Sequence, residues 1–357
     1  MSFPQTFHVQ GGELSDRQIQ RLLARLENHL PYSIPLLRRI QFDQRRPKST
    51  TARVYLVAAA PGAAEETTIN DETGWIDSWF HGDLGASPVA PPWLAAHLDL
   101  SSSGQTQAWL YGSWEISFTT SPKPSAEKPL DTVYQSLTHH LFEYIYQKLV
   151  PEMPSEPGPQ WLELKRTGKY LSVPYSRTKV LFGTISEALW PYFADSAITR
   201  TARPYLKYIF PSEKEGQATL PPHYRLSELR EADLQMVCDR SPIPRTAQTL
   251  GECVSVGLLY DGQATPVGWG FLGKDASISS LHTEPEHRGN GLAVLLTQEL
   301  LRRQGASVED GEQRTTSWGH ADVLESNTSS RRVMEKLGAQ VMWRVAWIEI
   351  DLEKILR

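Results

Sequence analysis

The sequence predicts a two-lobed α/β protein, and three observations lead to this fold class. The chain has 357 residues, which is too long for one ordinary core and suits two domains. Stretches with helical periodicity alternate with short, strand-like stretches, as they do in α/β folds. A polar, Pro-flanked segment at 211–222 has the composition of a linker. We therefore predict one lobe at 1–215 and another at 216–357.

In the first lobe, residues 14–30 are predicted to form an amphipathic helix. Its apolar residues recur at helical spacing, and Ser15 with Gln18 forms a possible capping box. By the same criteria we expect strands at 53–59, 107–118, 160–173 and 203–210, and helices at 130–149 and 178–192.

The second lobe has a clearer order, β-α-β-β-β-α-β-α-β. A turn at Tyr260-Asp261-Gly262 separates two strands that we expect to form a hairpin. Strands are predicted at 224–229, 254–260, 266–272, 276–283, 321–324 and 341–350, and helices at 230–240, 289–303 and 327–337.

Composition narrows the possible partners and the compartment. The net charge is −5 with both signs interspersed, so no basic field attracts nucleic acid. Cys238 and Cys253 form neither a disulfide framework nor a metal-ligand spacing, so we expect no metal. The chain shows no signal peptide and no apolar run of membrane-spanning length. We predict a cytoplasmic protein that binds no nucleic acid and no membrane.

The stretch at 281–293, LHTEPEHRGNGLA, joins a predicted strand to a predicted helix and is suited to bind an anion. The first N–H groups of a helix have no internal partners, glycines let a phosphate approach the backbone, and Arg288 adds positive charge. A dinucleotide-binding motif would need a third glycine or alanine where Val294 stands, and a Walker loop would need Gly-Lys-Ser/Thr. The pattern therefore favours a pyrophosphate site of another type, with an ordinary turn before a core helix as the alternative.

Two motifs resemble those of the GNAT acyltransferases. The pattern Pro285-x-x-Arg288-Gly-x-Gly-Leu-Ala293 resembles their acetyl-CoA signature, and the segment at 327–338, NTSSRRVMEKLG, is similar to a later helix of that family. The resemblance implies a GNAT fold with a mixed central sheet in the second lobe, and acyl-CoA or acetyl-CoA as cosubstrate. The residues that it implies for cofactor binding are Leu281, Thr283, Arg288, Gly289, Asn290, Gly291, Leu292, Ala293, Asn327 and Ser330.

Within that superfamily the chain looks most like the glycine N-acyltransferase group, with its FR47-like C-terminal domain. Leu30-Pro-Tyr-Ser-Ile34 and Trp75-Ile-Asp-Ser-Trp79 resemble conserved segments of that group's first lobe. The resemblance implies that the N-terminal lobe is a degenerate GNAT-like unit that shapes the acceptor site. It has no Arg-Gly-x-Gly loop of its own, so we expect one active site.

The general base is the least certain element of the site, because Ser277 stands where the glycine N-acyltransferase group has a glutamate. His282 and Glu284 are the candidates that we favour, and Asp275 is a further ionisable neighbour. Each of these two residues also has an interpretation without a catalytic role. His282 is equally expected as a hydrogen-bonded strand histidine, and Glu284 as a solvated turn residue.

Many GNAT enzymes carry a tyrosine in the last helix that protonates the departing thiolate, and here Met334 takes its place. Because a thiol of pKa near 8 to 9 leaves readily, water can supply that proton. We expect Met334 to pack in the core.

These features predict an acyl-CoA-dependent N-acyltransferase. An acetyl or longer acyl group would pass to the amine of a small molecule or amino acid by direct attack in a ternary complex. Two alternatives stay open at this point. One is a protein Lys or N-terminal acetyltransferase, and the other is a non-catalytic CoA-binding regulator, suggested by Ser277 and Met334. The acyl chain, the acceptor and the oligomeric state have no readable code in the sequence.

Overall fold

The structure is a computed structural model that describes residues 7–46, 49–61, 74–81, 91–118, 129–168, 171–210, 219–241, 243–306 and 318–356. The predicted domain boundary at 215/216 and most of the predicted linker lie outside these residues. Within them no helix is long and apolar enough to cross a membrane.

Twelve described strands form one mixed sheet. Its spatial order is β1-β2-β3-β4-β5-β12-β6-β11-β10-β9-β8-β7, and only the pairs β4–β5 and β10–β11 of the described strands run parallel. The strands are β1 (Phe7–Glu13), β2 (Arg53–Pro61), β3 (Trp93–Leu98), β4 (Ala108–Gly112), β5 (Lys179–Ser186), β6 (Ile198–Phe210), β7 (Tyr224–Ser227), β8 (Ser255–Tyr260), β9 (Gly268–Leu272), β10 (Ser277–Thr283), β11 (Gly319–Leu324) and β12 (Gln340–Asp351).

Helices cover both faces of the sheet. The predicted capping box at the first helix is confirmed, since the Ser15 N–H donates to Gln18 Oε1 at 2.9 Å. The described helices are α1 (Asp16–Glu27), α2 (Ile34–Gln44), α3 (Gly74–His81), α4 (Pro129–Tyr144), α5 (Pro159–Arg166), α6 (Glu231–Arg240), α7 (Ala247–Gly251), α8 (Leu292–Ala306), α9 (Thr328–Lys336) and α10 (Glu353–Leu356).

The predicted order of the second lobe is confirmed, with α7 and α10 as two additional short helices among the described residues. Three predictions for the first lobe are wrong. Residues 160–173 do not form a strand, because Pro159 starts the helix α5, which buries Trp161 and Leu164 at a spacing of three. Residues 178–192 do not form one helix, because they include β5, a central strand that is buried on both faces. The strand predicted at 107–118 ends at Gly112, and a 3-10 turn follows.

The two halves of the chain exchange strands at the centre of the sheet. The C-terminal strand β12 lies between β5 and β6, and β6 lies between β12 and β11. Val345 of β12 thus pairs with Ser186 on one side and with Tyr205 on the other.

The C-terminal half sandwiches its strands between two helical layers. Trp269 and Phe271 of β9 pack with α6. On the opposite face of the same strand, a Cβ added at Gly270 would lie 2.8 Å from Leu300 of α8, so that glycine lets the helix approach the sheet closely. Met334 packs in the core on the α8 face, as predicted.

Candidate functional site

Parallel strands β10 and β11 diverge after a short stretch of pairing. They pair at Ser277 with His320 and at Ile278 with Ala321. A register shift against β9 then follows between Ser279 and His282. The divergence leaves backbone groups of β10 without a neighbouring strand, so the two strands enclose a slot.

A bulge at Ser280 marks the start of this slot. Ser280 has a left-handed backbone, with φ of 49°, which is uncommon for a residue other than glycine. Its Oγ is buried and has no hydrogen-bond partner among the described residues, and the same is true of Thr283 Oγ1. Sequence analysis did not single out Ser280, because a bulge depends on the register against a neighbouring strand.

The segment after β10 has the geometry of an anion site. A 3-10 turn at Pro285–His287 leads to residues 288–291, and α8 begins at Leu292. Gly289 and Gly291 have φ of 84° and 74°, which glycine adopts without strain, and an added Cβ at either would point into open space. Backbone N–H groups of residues 289–293 donate to no oxygen of the described residues. A ligand that approaches from outside thus meets several free donors and the positive end of a helix.

Arg288 anchors this loop to the end of the strand. Its Nε donates to the Thr283 carbonyl at 3.0 Å, and the side chain is exposed. Asn290 Nδ2 donates to the His287 carbonyl at 3.2 Å. The loop is therefore held in shape by its own contacts, with the charge of Arg288 left at the surface.

The other residues predicted to bind the cofactor have structural contacts. Asn327 caps α9 by accepting the Ser330 N–H at 3.1 Å. Leu281 and Leu292 pack in the core beneath α8, so any contribution to a ligand would come from their backbone. Ala293 lies in the first turn of α8. The cofactor-binding role of all these residues stays a prediction.

His282 of β10 and Glu284, which directly follows β10, lie together on the face of the sheet that packs against α6. Leu281 lies on the other face, toward α8. The His282 ring stacks on Trp269, with centroids 4.5 Å apart, and its Nε2 lies 3.4 Å from Glu284 Oε2. Glu284 Oε1 accepts from Arg240 Nε at 3.0 Å. Desolvation alone would raise the pKa of Glu284, but the contacts with Arg240 and His282 outweigh it and hold that pKa below its usual value.

A cleft of about 570 Å³ opens beside this pair, and residues of the predicted anion loop form part of its wall. The other walls come from α6 and from the connection between β8 and β9. The cleft thus brings the predicted base candidates and Arg288 to one surface. Its lining includes Met236, Arg240, Thr265, His282, Glu284 and Arg288.

A buried polar network lies beyond the slot, where the strands of the two halves meet. Lys207 Nζ of β6 contacts Asp322 of β11 at 2.7 Å, and it also donates to Thr184 of β5 at 2.8 Å. His320 Nδ1 lies 3.2 Å from Lys207 Nζ, and burial, together with that ammonium, lowers the pKa of His320 to about 4. Lys207 falls within the strand predicted at 203–210, and no local sequence pattern indicates this network.

Asp275 and Ser277 belong to the same region. Ser277 Oγ donates to Asp275 Oδ1 at 2.6 Å. Burial would raise the pKa of Asp275, but His320, Lys207 and Ser277 hold it below its usual value. A carboxylate that is buried and stabilised in this way is a poor proton acceptor, which leaves His282 and Glu284 as the accessible candidates. No group of His, Cys, Asp and Glu side chains in the described residues is arranged to hold a metal ion.

Comparisons with known proteins cover most of the chain. A family model described as the acyl-CoA N-acyltransferase verG N-terminal domain matches residues 6–208, and a model described as FR47-like protein matches residues 255–348. No curated protein sequence matches the chain significantly.

Solved structures with a similar fold extend over almost the full length. A Drosophila protein is 14% identical, with a TM-score of 0.56, and the match covers 96% of this chain and 99% of that chain. A GCN5-related N-acetyltransferase from Sphaerobacter thermophilus is 13% identical, with a TM-score of 0.49, covering 97% and 96%. A tandem GNAT protein from the clavulanic acid biosynthesis pathway is 12% identical, with a TM-score of 0.42, covering 97% and 99%.

Proposed function

Because the chain belongs to the family of the acyl-CoA N-acyltransferase verG N-terminal domain, we propose that it transfers an acyl group from acyl-CoA to the amine of a small molecule or amino acid. Family membership confirms the resemblance to GNAT acyltransferases and the two-lobed α/β fold. The acceptor class and the acyl group are the proposal.

One observation carries this proposal, namely the set of free backbone N–H groups at 289–293 next to the slot between β10 and β11. A pyrophosphate bound there would receive several N–H donors and the charge of Arg288. The pantetheine arm would then run along β10 toward the bulge at Ser280, where the unpaired backbone is available. Leu281 and Thr283 would contact it through their backbone, and Asn327 and Ser330 would lie on the α9 side.

The chemistry is a direct attack in a ternary complex. The amine nitrogen forms a bond to the thioester carbon, the carbonyl oxygen becomes an oxyanion, and the carbon–sulfur bond then breaks. A backbone N–H near Leu281 would stabilise the oxyanion. The amine loses a proton to His282 or Glu284, and water supplies a proton to the CoA thiolate, since Met334 has no proton to donate.

The two halves of the chain would bind different substrates. Residues 216–357 would hold acyl-CoA, and residues 1–215 would shape the acceptor site. Support comes from the exchanged strands, because β5 and β6 border the polar network beside the slot. An acceptor that enters from this side would contact both halves of the chain.

A thiol-release assay tests the function. The protein is mixed with acyl-CoAs of short to long chain and with a panel of small amines, amino acids and Lys-containing peptides, and free CoA is measured. We expect release that depends on a small amine. CoA binding without amine-dependent release from any acceptor would contradict the proposal and favour a regulator, and release with peptides alone would favour a protein acetyltransferase.

A further inference from the structure

Three charged or titratable side chains in the cleft form a chain from α6 to β10. We propose that Arg240 is a positioning residue that acts through Glu284, so that His282 is the group that accepts the proton of the amine. This inference rests on the proposed function, and it assigns different roles to two residues that the sequence left equivalent.

Both oxygens of Glu284 lie close to a basic side chain. Oε1 accepts from Arg240 Nε at 3.0 Å, and Oε2 lies 3.4 Å from His282 Nε2. The Glu284 side chain is 17% exposed, whereas that of Arg240 is 55% exposed. A carboxylate that is shared between a guanidinium and an imidazole is stabilised as an anion, so it is a weak base and a good anchor.

The His282 ring is held by packing as well. It stacks on Trp269 with an interplanar angle of 18°, and the Trp269 ring is itself buried. Trp269 packs against Leu234 and Val237 of α6. Since Arg240 is the last residue of the same helix, α6 both supports the stack and carries the cation that fixes Glu284. The helix therefore positions His282 in two independent ways.

The proton balance follows from this arrangement. When the Nε2 proton of His282 faces Glu284, Nδ1 is the basic nitrogen. As the amine forms its bond to the acyl carbon, its proton moves to Nδ1, and the resulting imidazolium is stabilised by the Glu284 charge. Release of that proton to water restores the neutral ring. Glu284 keeps its charge throughout, because Arg240 compensates it.

The charged groups near His282 come from three elements. Glu284 directly follows the strand that carries His282, Arg240 is on α6, and Glu286, His287 and Arg288 of the following turn line the same cleft. Trp269 of β9 carries no charge, and neither do Gln263 and Thr265, the polar residues of the β8–β9 connection that line the cleft. Arg240 is the cation whose contact with Glu284 is direct, so its removal isolates the effect that we propose.

NMR titration of the His282 ring tests the proposal without any assay of activity. In Arg240→Met the Glu284 charge is no longer compensated, and we expect the His282 pKa to rise by about half a unit or more. Arg240→Lys should restore part of the difference, and Glu284→Gln should lower the pKa. Arg302→Met is the matched control, since Arg302 is 58% exposed and its Nε binds Glu299 at 2.7 Å on α8. It should leave the His282 titration unchanged.

Kinetics provide the second measurement. His282→Ala should lower kcat/KM by roughly 10²-fold and flatten the acid limb of its pH profile. Glu284→Gln should keep that limb but move it to lower pH, and Arg240→Met should move it to higher pH, with the KM for acyl-CoA little changed in all three.

Two outcomes would overturn the proposal. A His282 titration that is the same in Arg240→Met and wild type would contradict the positioning role. An acid limb that is lost in Glu284→Gln but kept in His282→Ala would reverse the roles of the two residues. Absence of turnover in the wild-type protein would instead remove the proposed function and leave the NMR comparison valid.

Discussion

The strand–turn–helix unit of the C-terminal half has a counterpart in the N-terminal half. In one, β10 of the parallel pair β10–β11 leads through a 3-10 turn to α8. In the other, β4 of the parallel pair β4–β5 leads through the 3-10 turn Ser113–Ser117 to α4. The two units share the order of strand, 3-10 turn and helix, but the hydrogen-bond partners of their backbone groups differ.

In the N-terminal unit, side chains of the chain itself accept hydrogen bonds from backbone N–H groups of the parallel pair. The Gly112 N–H donates to the buried Glu115 carboxyl at 2.8 Å, and the Trp114 ring stacks on Tyr134 of α4. Gln107 bridges the parallel strands there, since its Oε1 accepts the Leu181 N–H at 3.1 Å. The sequence from 118 to 128 contains no glycine.

The difference teaches that this order of strand, 3-10 turn and helix does not by itself make an anion site. Backbone donors attract a phosphate only where they lack an internal acceptor and where no Cβ keeps the ligand away. Four predictions test this comparison.

The prediction with the largest expected effect concerns the number of CoA-binding sites per chain. Isothermal titration with CoA should give one site per chain, because the N-terminal half has no Arg-Gly-x-Gly loop, and Glu115 and Gln107 accept from backbone donors of its parallel pair. Two equivalent sites would contradict the contrast between the halves.

The second prediction concerns the loop glycines. Gly291→Val should weaken CoA binding by well over tenfold, which is more than about 1.4 kcal/mol, because the side chain blocks the approach to the helix start. Gly168→Val is the control in the N-terminal half, since Gly168 has φ of 66° and equally open surroundings. Titration of both folded variants should show a loss only for Gly291→Val, and equal affinities would argue against the anion site.

The third prediction concerns the carboxyl that fills the N-terminal unit. Burial raises the pKa of Glu115 to about 8, against an unfolded value near 4.5. Between these values the folded state keeps a proton that the unfolded state has lost, so the contribution of Glu115 to stability falls as the pH rises. Glu115→Gln cannot ionise, and its stability relative to wild type should therefore increase from pH 5 to pH 8 in urea denaturation. A constant difference would show that Glu115 is ionised in the folded protein.

The smallest expected effect concerns the bulge at Ser280 in β10. The corresponding strand β4 has no such bulge, since the register between β4 and β3 is continuous. Ser280→Gly should stabilise the protein by about 0.5 kcal/mol, because relief of the left-handed strain exceeds the entropic cost of glycine. Ser279→Gly, at a position paired with Phe271, should destabilise it by about 0.5–1 kcal/mol. Thermal unfolding of the pair measures both, and a loss of stability in Ser280→Gly would show that the bulge carries no such strain.

The sequence predicted the C-terminal half better than the N-terminal half for physical reasons. Around β10 and α8, the turn residues, glycines and helix periodicity are local signals, and each element lies beside its sequence neighbours. The strand β5 is buried on both faces, so it lacks the alternation that marks a half-exposed strand, and its apolar run was taken for a helix.

Side-chain partners were less predictable than elements. His282 and Glu284 are predicted as base candidates because they are ionisable and lie at the end of the predicted strand and directly after it. Arg240, which fixes Glu284, lies 44 positions earlier in the sequence. Lys207 and Asp322 are 115 positions apart. Such contacts depend on the order of strands in the sheet, and nothing in local periodicity reports that order.

The exchanged strands have a consequence for how the protein is made. During synthesis β5 and β6 leave the ribosome long before β12, and the buried Arg200–Glu349 pair joins positions 149 residues apart. Until β12 arrives, the inner edges of both strands have unpaired backbone groups, which can pair with the wrong chain. Because the strand that joins the halves comes after the glycine-containing loop at 288–291 in the sequence, a nascent chain would complete the loop before the sheet that supports it has closed.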